Sequence, residues 1–131
     1  MALPYIRKLG HVAGQTVWLV SGEYVRNHIF LDFTQGGNDQ VYRRFTPAGE
    51  VWIDDATGPF DQTATALHEI VERDQMLRRH LPYEKAHDIA LSYERPFRRE
   101  LAKRGKMRAI DLGAVARAYR EYQTIAKVIG Q

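Results

Sequence analysis

The sequence contains no cysteine among its 131 residues. This absence excludes disulfide bonds, thiolate zinc sites and a cysteine nucleophile, so any metal ion must be held by His, Asp or Glu. Apolar runs also stay far below the roughly 18 residues that a membrane-spanning helix needs, and the first residues lack the apolar core of a signal peptide. We therefore predict a cytoplasmic protein without a membrane partner.

Charge of one sign is not in large excess either. The formal net charge is +3, which is too small to argue for nucleic-acid binding. Cations do concentrate between positions 95 and 108. The candidate phosphate contacts in that stretch are Arg95, Arg98, Arg99, Lys103 and Arg104. Phe97 is the only aromatic residue there, so base stacking has little support and a solvated helix surface is the more typical explanation. Nucleic-acid binding remains an alternative hypothesis that the sequence does not favour.

The residue composition changes near position 57. Before it, β-branched and aromatic residues alternate with Gly-rich breaks, and after it Ala, Leu, Glu, Arg and Lys dominate. Strands followed by helices are typical of an α+β domain. We predict one domain over residues 1–131, in which 1–56 form a small antiparallel or mixed sheet and two to three helices follow. Residues 57–104 would carry a metal site, and 105–131 a C-terminal helix.

Local patterns place the elements within this domain. Strands are predicted at 16–20 and 29–33, with a loop at 35–38 and a hairpin of 40–45 and 50–53 around a turn at 46–49. Helices are predicted from Asp61 or Thr63 to about 79, from about 82 to 104, and from about 112 to 129. Pro96 would kink or end the second helix, and Asp111 would cap the third.

The predicted C-terminal helix has an apolar stripe at helical spacing. Its members are Val115, Tyr119, Tyr122, Ala126 and Ile129. Such periodicity predicts packing against the core. The alternative is a helix that docks onto a second copy or onto an assembly partner.

The sharpest chemical feature is the helical segment His68-Glu69-Ile70-Val71-Glu72. His68 and Glu72 are four residues apart, which places both side chains on one face of a helix, one turn apart. An imidazole nitrogen and a carboxylate oxygen could then bind one divalent ion. Glu69 points to one side of that pair, where it could accept a proton from a water molecule on the ion.

Two ligands are too few, since a catalytic zinc site usually has three protein ligands and one open position. His87 and Glu94 are seven residues apart on the next predicted helix, and therefore lie on one face of it. His87 is the first choice for the third ligand because imidazole suits zinc. Glu94 either binds the ion or orients a ligating histidine. Tyr83 and Tyr93 flank His87, and either hydroxyl could stabilise negative charge that develops on a substrate, although packing is the simpler explanation.

Strands followed by a His68-Glu69-x-x-Glu72 helix and a second helix with His87 and Glu94 resemble a minimal zincin of the gluzincin type. This resemblance implies a zincin-like fold, a zinc (Zn²⁺) cofactor, His68 as ligand, Glu69 as general base, and a peptide or protein substrate. The chain departs from most zincins at Glu72, where they carry a second histidine. A carboxylate there makes the metal a weaker Lewis acid and favours harder ions.

The chain also resembles a group of small, largely uncharacterised bacterial and phage proteins over roughly residues 16–101. The matching segments lie at 17–20, 24–26, 32–37, 51–54, 67–73 and 83–87. This second resemblance brings no established activity. The leading hypothesis is a zincin-like zinc protein whose enzyme status the sequence leaves open, with peptide-bond hydrolysis as the expected reaction. The alternative is a non-enzymatic phage or bacterial assembly module with a structural metal or none.

Overall fold

The computed structural model describes residues 2–130, which form an α+β fold with a mixed four-stranded sheet followed by helices. This confirms the predicted fold class. The elements are β1 (Tyr5–Val12), β2 (Gln15–Val20), α1 (Gly22–His28), β3 (Gly36–Asn38), β4 (Glu50–Asp54), α2 (Pro59–Arg78), α3 (Tyr83–Lys103) and α4 (Leu112–Ile129). No helix within the described residues is long and apolar enough to cross a membrane.

The sheet has the strand order β1-β2-β4-β3. β1 and β2 form an antiparallel pair, β2 and β4 run parallel with Val17 opposite Val51, and β3 pairs antiparallel with β4 at one edge. The two central strands are short apolar runs, which suits strands that are covered by other elements. Val17, Val51 and Ile53 are fully buried in the main core.

α2 is the central helix of the domain. Residues 63–72 are all buried, and Leu67, Ile70 and Val71 belong to the core cluster that also contains the central strands and α4. A helix that is buried all round must also bury its polar side chains, which is costly unless they find partners. The buried polar residues His68 and Glu72 lie on this helix.

The start of α2 and the course of α3 at Pro96 differ from the predictions. α2 begins at Pro59 rather than after a cap at Asp61 or Thr63, because proline fits the first helical position, where its missing N–H leaves no bond unmade. α3 continues through Pro96 to Lys103. Its second half is held by Phe97 and Leu101, which are buried in the core, and this packing offsets the backbone hydrogen bond that proline removes.

α4 agrees closely with the sequence. The Asp111 side chain accepts a hydrogen bond from the Ala114 N–H at 2.9 Å and caps the helix as predicted. The first four residues of its predicted stripe are buried, but Ile129 is 58% exposed, since the stripe runs past the end of the core. Ile125 and Val128 on the last turns are exposed too. Docking of α4 onto a partner stays a prediction.

The first half of the chain departs most from expectation. The strand predicted at 29–33 is wrong, because these residues form the C-cap of α1 and a loop. The preceding helix α1 was not predicted, and the backbone N–H of Tyr24 in it donates to the Ser21 side chain at 3.1 Å. The predicted loop at 35–38 contains strand β3. Residues 40–45 form turns instead of a hairpin strand, because the Asn38 side chain accepts hydrogen bonds from the next turn's backbone. β1 was not predicted.

Candidate metal centre

Three polar atoms from α2 and α3 converge at the predicted site. Nε2 of His68 lies 3.1 Å from Oε2 of Glu72 and 3.1 Å from Nδ1 of His87, and the latter two atoms are 2.9 Å apart. His68 and Glu72 come from adjacent turns of α2, as their spacing predicted, and His87 comes from the second turn of α3. The structure therefore brings together a histidine pair and one carboxylate oxygen.

The size of this triangle matches one face of a tetrahedral zinc site. Zinc bonds to nitrogen and oxygen of about 2.0–2.1 Å place neighbouring ligand atoms about 3.3 Å apart. The three observed separations are only a few tenths of an ångström shorter. An ion could bind all three atoms after small side-chain adjustments, and its fourth position would remain open.

Glu94 lies on the other side of the His68 ring. Its Oε1 is 2.7 Å from His68 Nδ1, while its Oε2 accepts a hydrogen bond from Nε of Arg98 at 2.6 Å. Arg98 in turn donates to Asp61 at 2.7 Å. A proton on Nδ1 shared with Glu94 would leave Nε2 a lone pair toward Glu72 and His87 once the proton on Nε2 is displaced, which is how carboxylates orient metal-binding histidines.

The ionisation of His68 reflects the carboxylates around it. Burial lowers the pKa of His68, but its hydrogen bonds with Glu72 and Glu94 outweigh that effect and raise the pKa to about 10. A metal-free cluster that holds a proton so firmly favours positive charge at this point. A divalent cation supplies such charge to the same carboxylates.

Glu69 is buried beside the triangle and contacts Asn38, whose Nδ2 lies 2.9 Å from its Oε1. Burial, together with the negative charge of Glu72, raises the pKa of Glu69 to about 8. A carboxyl group with a pKa near neutrality is suited to proton transfer. Asn38 was not predicted as a site residue, since its Gly-Gly-Asn context resembles a turn.

A cleft of about 290 Å³ gives access to these groups. Its lining includes Tyr42 and Tyr83 together with His68, Glu69 and Glu72. Burial and the charge of Glu69 raise the pKa of Tyr42 to about 12, so its hydroxyl keeps its proton at neutral pH. The Tyr83 hydroxyl is 3.5 Å from Nδ1 of His87, and burial raises its pKa as well. Both hydroxyls are therefore available as hydrogen-bond donors.

Tyr93, the other predicted donor to a substrate, is not part of this cleft. Its ring packs edge-on against Tyr122 of α4, with centroids 4.9 Å apart, and it lines a separate cavity between α3 and α4. Tyr93 follows His87 by six residues, and residues six apart on a helix do not share a face. The structure thus brings Tyr83, but not Tyr93, to the cleft.

The five candidate phosphate contacts do not form one free surface. Arg98 lines the cleft and is paired with Glu94 and Asp61, and Arg104 lies near Glu100 and Asp111. Arg95, Arg99, Lys103 and Arg104 are exposed, whereas Arg98 is half-buried. Two of the five cations thus have carboxylate partners, Arg98 in the cleft and Arg104 at the surface, which weakens the case for a phosphate-binding stripe.

Comparison of the chain with protein-family models, with curated proteins and with solved structures gave no match. Any functional proposal therefore rests on the geometry of the site.

Proposed function

We propose that this protein binds a divalent metal ion, zinc in the first place, through His68, Glu72 and His87. The observation that supports this proposal is the convergence of Nε2, Oε2 and Nδ1 of these residues within 3.1 Å of one another. Two imidazoles and one carboxylate with an open fourth position form the ligand set of a catalytic zinc site. Glu94 then orients His68 and is not itself a ligand.

The proposed reaction is hydrolysis of a peptide bond, with Glu69 as general base. A bound zinc ion would polarise a substrate carbonyl group and make a water molecule more acidic. Glu69 lines the same cleft as the three ligands, and its pKa of about 8 in the metal-free protein suits the transfer of a proton. Either Tyr42 or Tyr83 could donate a hydrogen bond to the substrate oxygen as negative charge develops on it.

An extended peptide is the substrate that the surroundings of the cleft favour. β3 is an edge strand of the sheet, and its first residue, Gly36, lines the cleft. β3 is buried apart from this approach, so an extended chain would form backbone hydrogen bonds with the segment that enters the cleft at Gly36, which would provide affinity independent of sequence. Because the cleft is small, we expect the substrate either to have short side chains next to the ion or to extend out of the cleft into solvent.

Elemental analysis tests the metal site directly. We expect purified protein, after zinc is added and excess removed, to hold about one equivalent of zinc, and His68→Ala to hold almost none. His11→Ala, which removes an exposed histidine of β1, should retain the wild-type content. Absence of stoichiometric zinc in the wild type would contradict the metal site and show that His68, Glu72 and His87 form only a hydrogen-bonded cluster.

Zinc binding should also weaken as the pH falls. Because the pKa of His68 is about 10 without metal, zinc must displace a proton from its Nε2 at any pH below that value. Loss of one proton on binding lowers the apparent affinity by about tenfold for each pH unit of acidification. Calorimetric titrations at pH 6–7.5, in two buffers with different heats of ionisation, would count the protons released. Zinc binding without proton release would contradict His68 as a ligand.

A further inference from the structure

We infer that Asn38 is a positioning residue, which restricts Glu72 to binding the metal ion through one oxygen and thereby keeps the fourth metal position open. This inference rests on the proposed metal site. It assigns a role to a residue that lies in the edge strand β3, outside the two helices that provide the ligands.

The orientation of the Asn38 amide is determined by its neighbours on both sides. Its Oδ1 accepts hydrogen bonds from the backbone N–H groups of Gln40 and Val41 at 2.9 and 3.2 Å. Its Nδ2 faces Oε1 of Glu69 at 2.9 Å and Oε1 of Glu72 at 3.2 Å. A flipped amide would set an oxygen against two carboxylates and an NH₂ group against two N–H groups, so only one orientation satisfies the hydrogen bonds.

The two carboxylate oxygens of Glu72 have different partners because of this amide. Oε1 faces Asn38, whereas Oε2 faces the two histidines. A metal ion on the histidine side therefore meets one carboxylate oxygen. Without the amide, Oε1 would be a buried acceptor without a donor, and rotation of the carboxylate onto the ion would satisfy it. Glu72 would then bind through both oxygens and occupy the coordination space that a substrate needs.

The same NH₂ group lies between Glu69 and Glu72. It is fully buried, so water does not compete for these contacts. Because it gives Glu69 a hydrogen bond at Oε1, it holds that carboxylate in place without making it a ligand. One side chain thus separates the roles of the ligand and the base.

Small residues bring Asn38 to this place. A Cβ atom on Gly36 would lie 2.7 Å from the Trp52 carbonyl oxygen and 2.8 Å from Cγ2 of Thr65. A Cβ on Gly37 would collide with the ring of Tyr42. Gly36 therefore lets β3 lie close to β4 and α2, and Gly37 leaves room for the Tyr42 ring, so that Asn38 can reach carboxylates on the helix.

Cobalt replacement tests the inference, because four-coordinate Co²⁺ absorbs visible light several times more strongly than five- or six-coordinate Co²⁺. We expect intense absorption bands from wild-type protein loaded with Co²⁺. In Asn38→Asp, which keeps the side-chain shape, and in Asn38→Ala, the bands should lose most of their intensity. Asn27→Asp, which makes the same change at an exposed position of α1, should match the wild type.

The outcomes separate this inference from the proposed function. Wild-type protein that binds neither Co²⁺ nor Zn²⁺ would overturn the metal site, and the role of Asn38 with it. Intense bands in the wild type and in both Asn38 variants would overturn the positioning role alone. If both variants lose their fold by circular dichroism, a crystal structure of the zinc-loaded wild type decides. Glu72 bound through one oxygen supports the inference, and Glu72 bound through both overturns it.

Discussion

Glu69→Gln is expected to lower the rate of peptide hydrolysis by about 10²–10⁴-fold while bound zinc stays at the wild-type level. The amide has nearly the same shape, and its oxygen can still accept the hydrogen bond that Asn38 donates to Glu69. It cannot accept a proton from water. Initial rates on a mixture of quenched fluorescent peptides, with zinc content measured on the same samples, provide the comparison.

Glu23→Gln is the matched control for this variant, since Glu23 is an exposed residue of α1 and should leave both measurements unchanged. Loss of zinc in Glu69→Gln would instead make Glu69 a ligand. Full activity in Glu69→Gln would place the base elsewhere. If the wild type binds zinc but cleaves no peptide in the mixture, the hydrolase part of the proposal fails and the metal site stands.

Zinc is expected to raise the midpoint of thermal unfolding by about 10 °C when its free concentration is about 100 times the dissociation constant. Ligand binding to the folded state alone adds about 2.7 kcal/mol under those conditions, and each kcal/mol shifts the midpoint of a domain of this size by roughly 4 °C. The ion would bind the folded state alone because its proposed ligands come from two helices, His68 and Glu72 from α2 and His87 from α3.

Differential scanning calorimetry with zinc, and again after excess chelator, would measure this shift. His87→Ala removes the proposed ligand on α3. The His87 side chain is 36% exposed, so the metal-free variant should fold with little change. Its midpoint should respond weakly to zinc. An equal zinc response in His87→Ala and wild type would show that the ion binds at another place.

The parts of the fold and of the site that depend on residues close together in the sequence could be predicted. The relative placement of His68 and Glu72 follows from the pitch of a helix, and Asp111 caps α4 through a residue three positions away. The stripe from Val115 to Ala126 is buried as its periodicity indicated. For α1, a local signal existed in the Ser21 cap, whereas the β-branched and aromatic residues that follow α1 favoured a strand at 29–33.

The remaining features join parts of the chain that are far apart in sequence. Asn38 meets Glu69 and Glu72 across 31 and 34 residues, and Glu94 meets His68 across 26. β3 consists of two glycines and an asparagine, residues with poor strand propensity, and its position requires Gly36, because β4 and α2 leave no room for a Cβ there. Helical periodicity in the sequence therefore placed the proposed ligands on their helices, whereas packing of β3 and α3 against the buried helix α2 decided which side chains contact them.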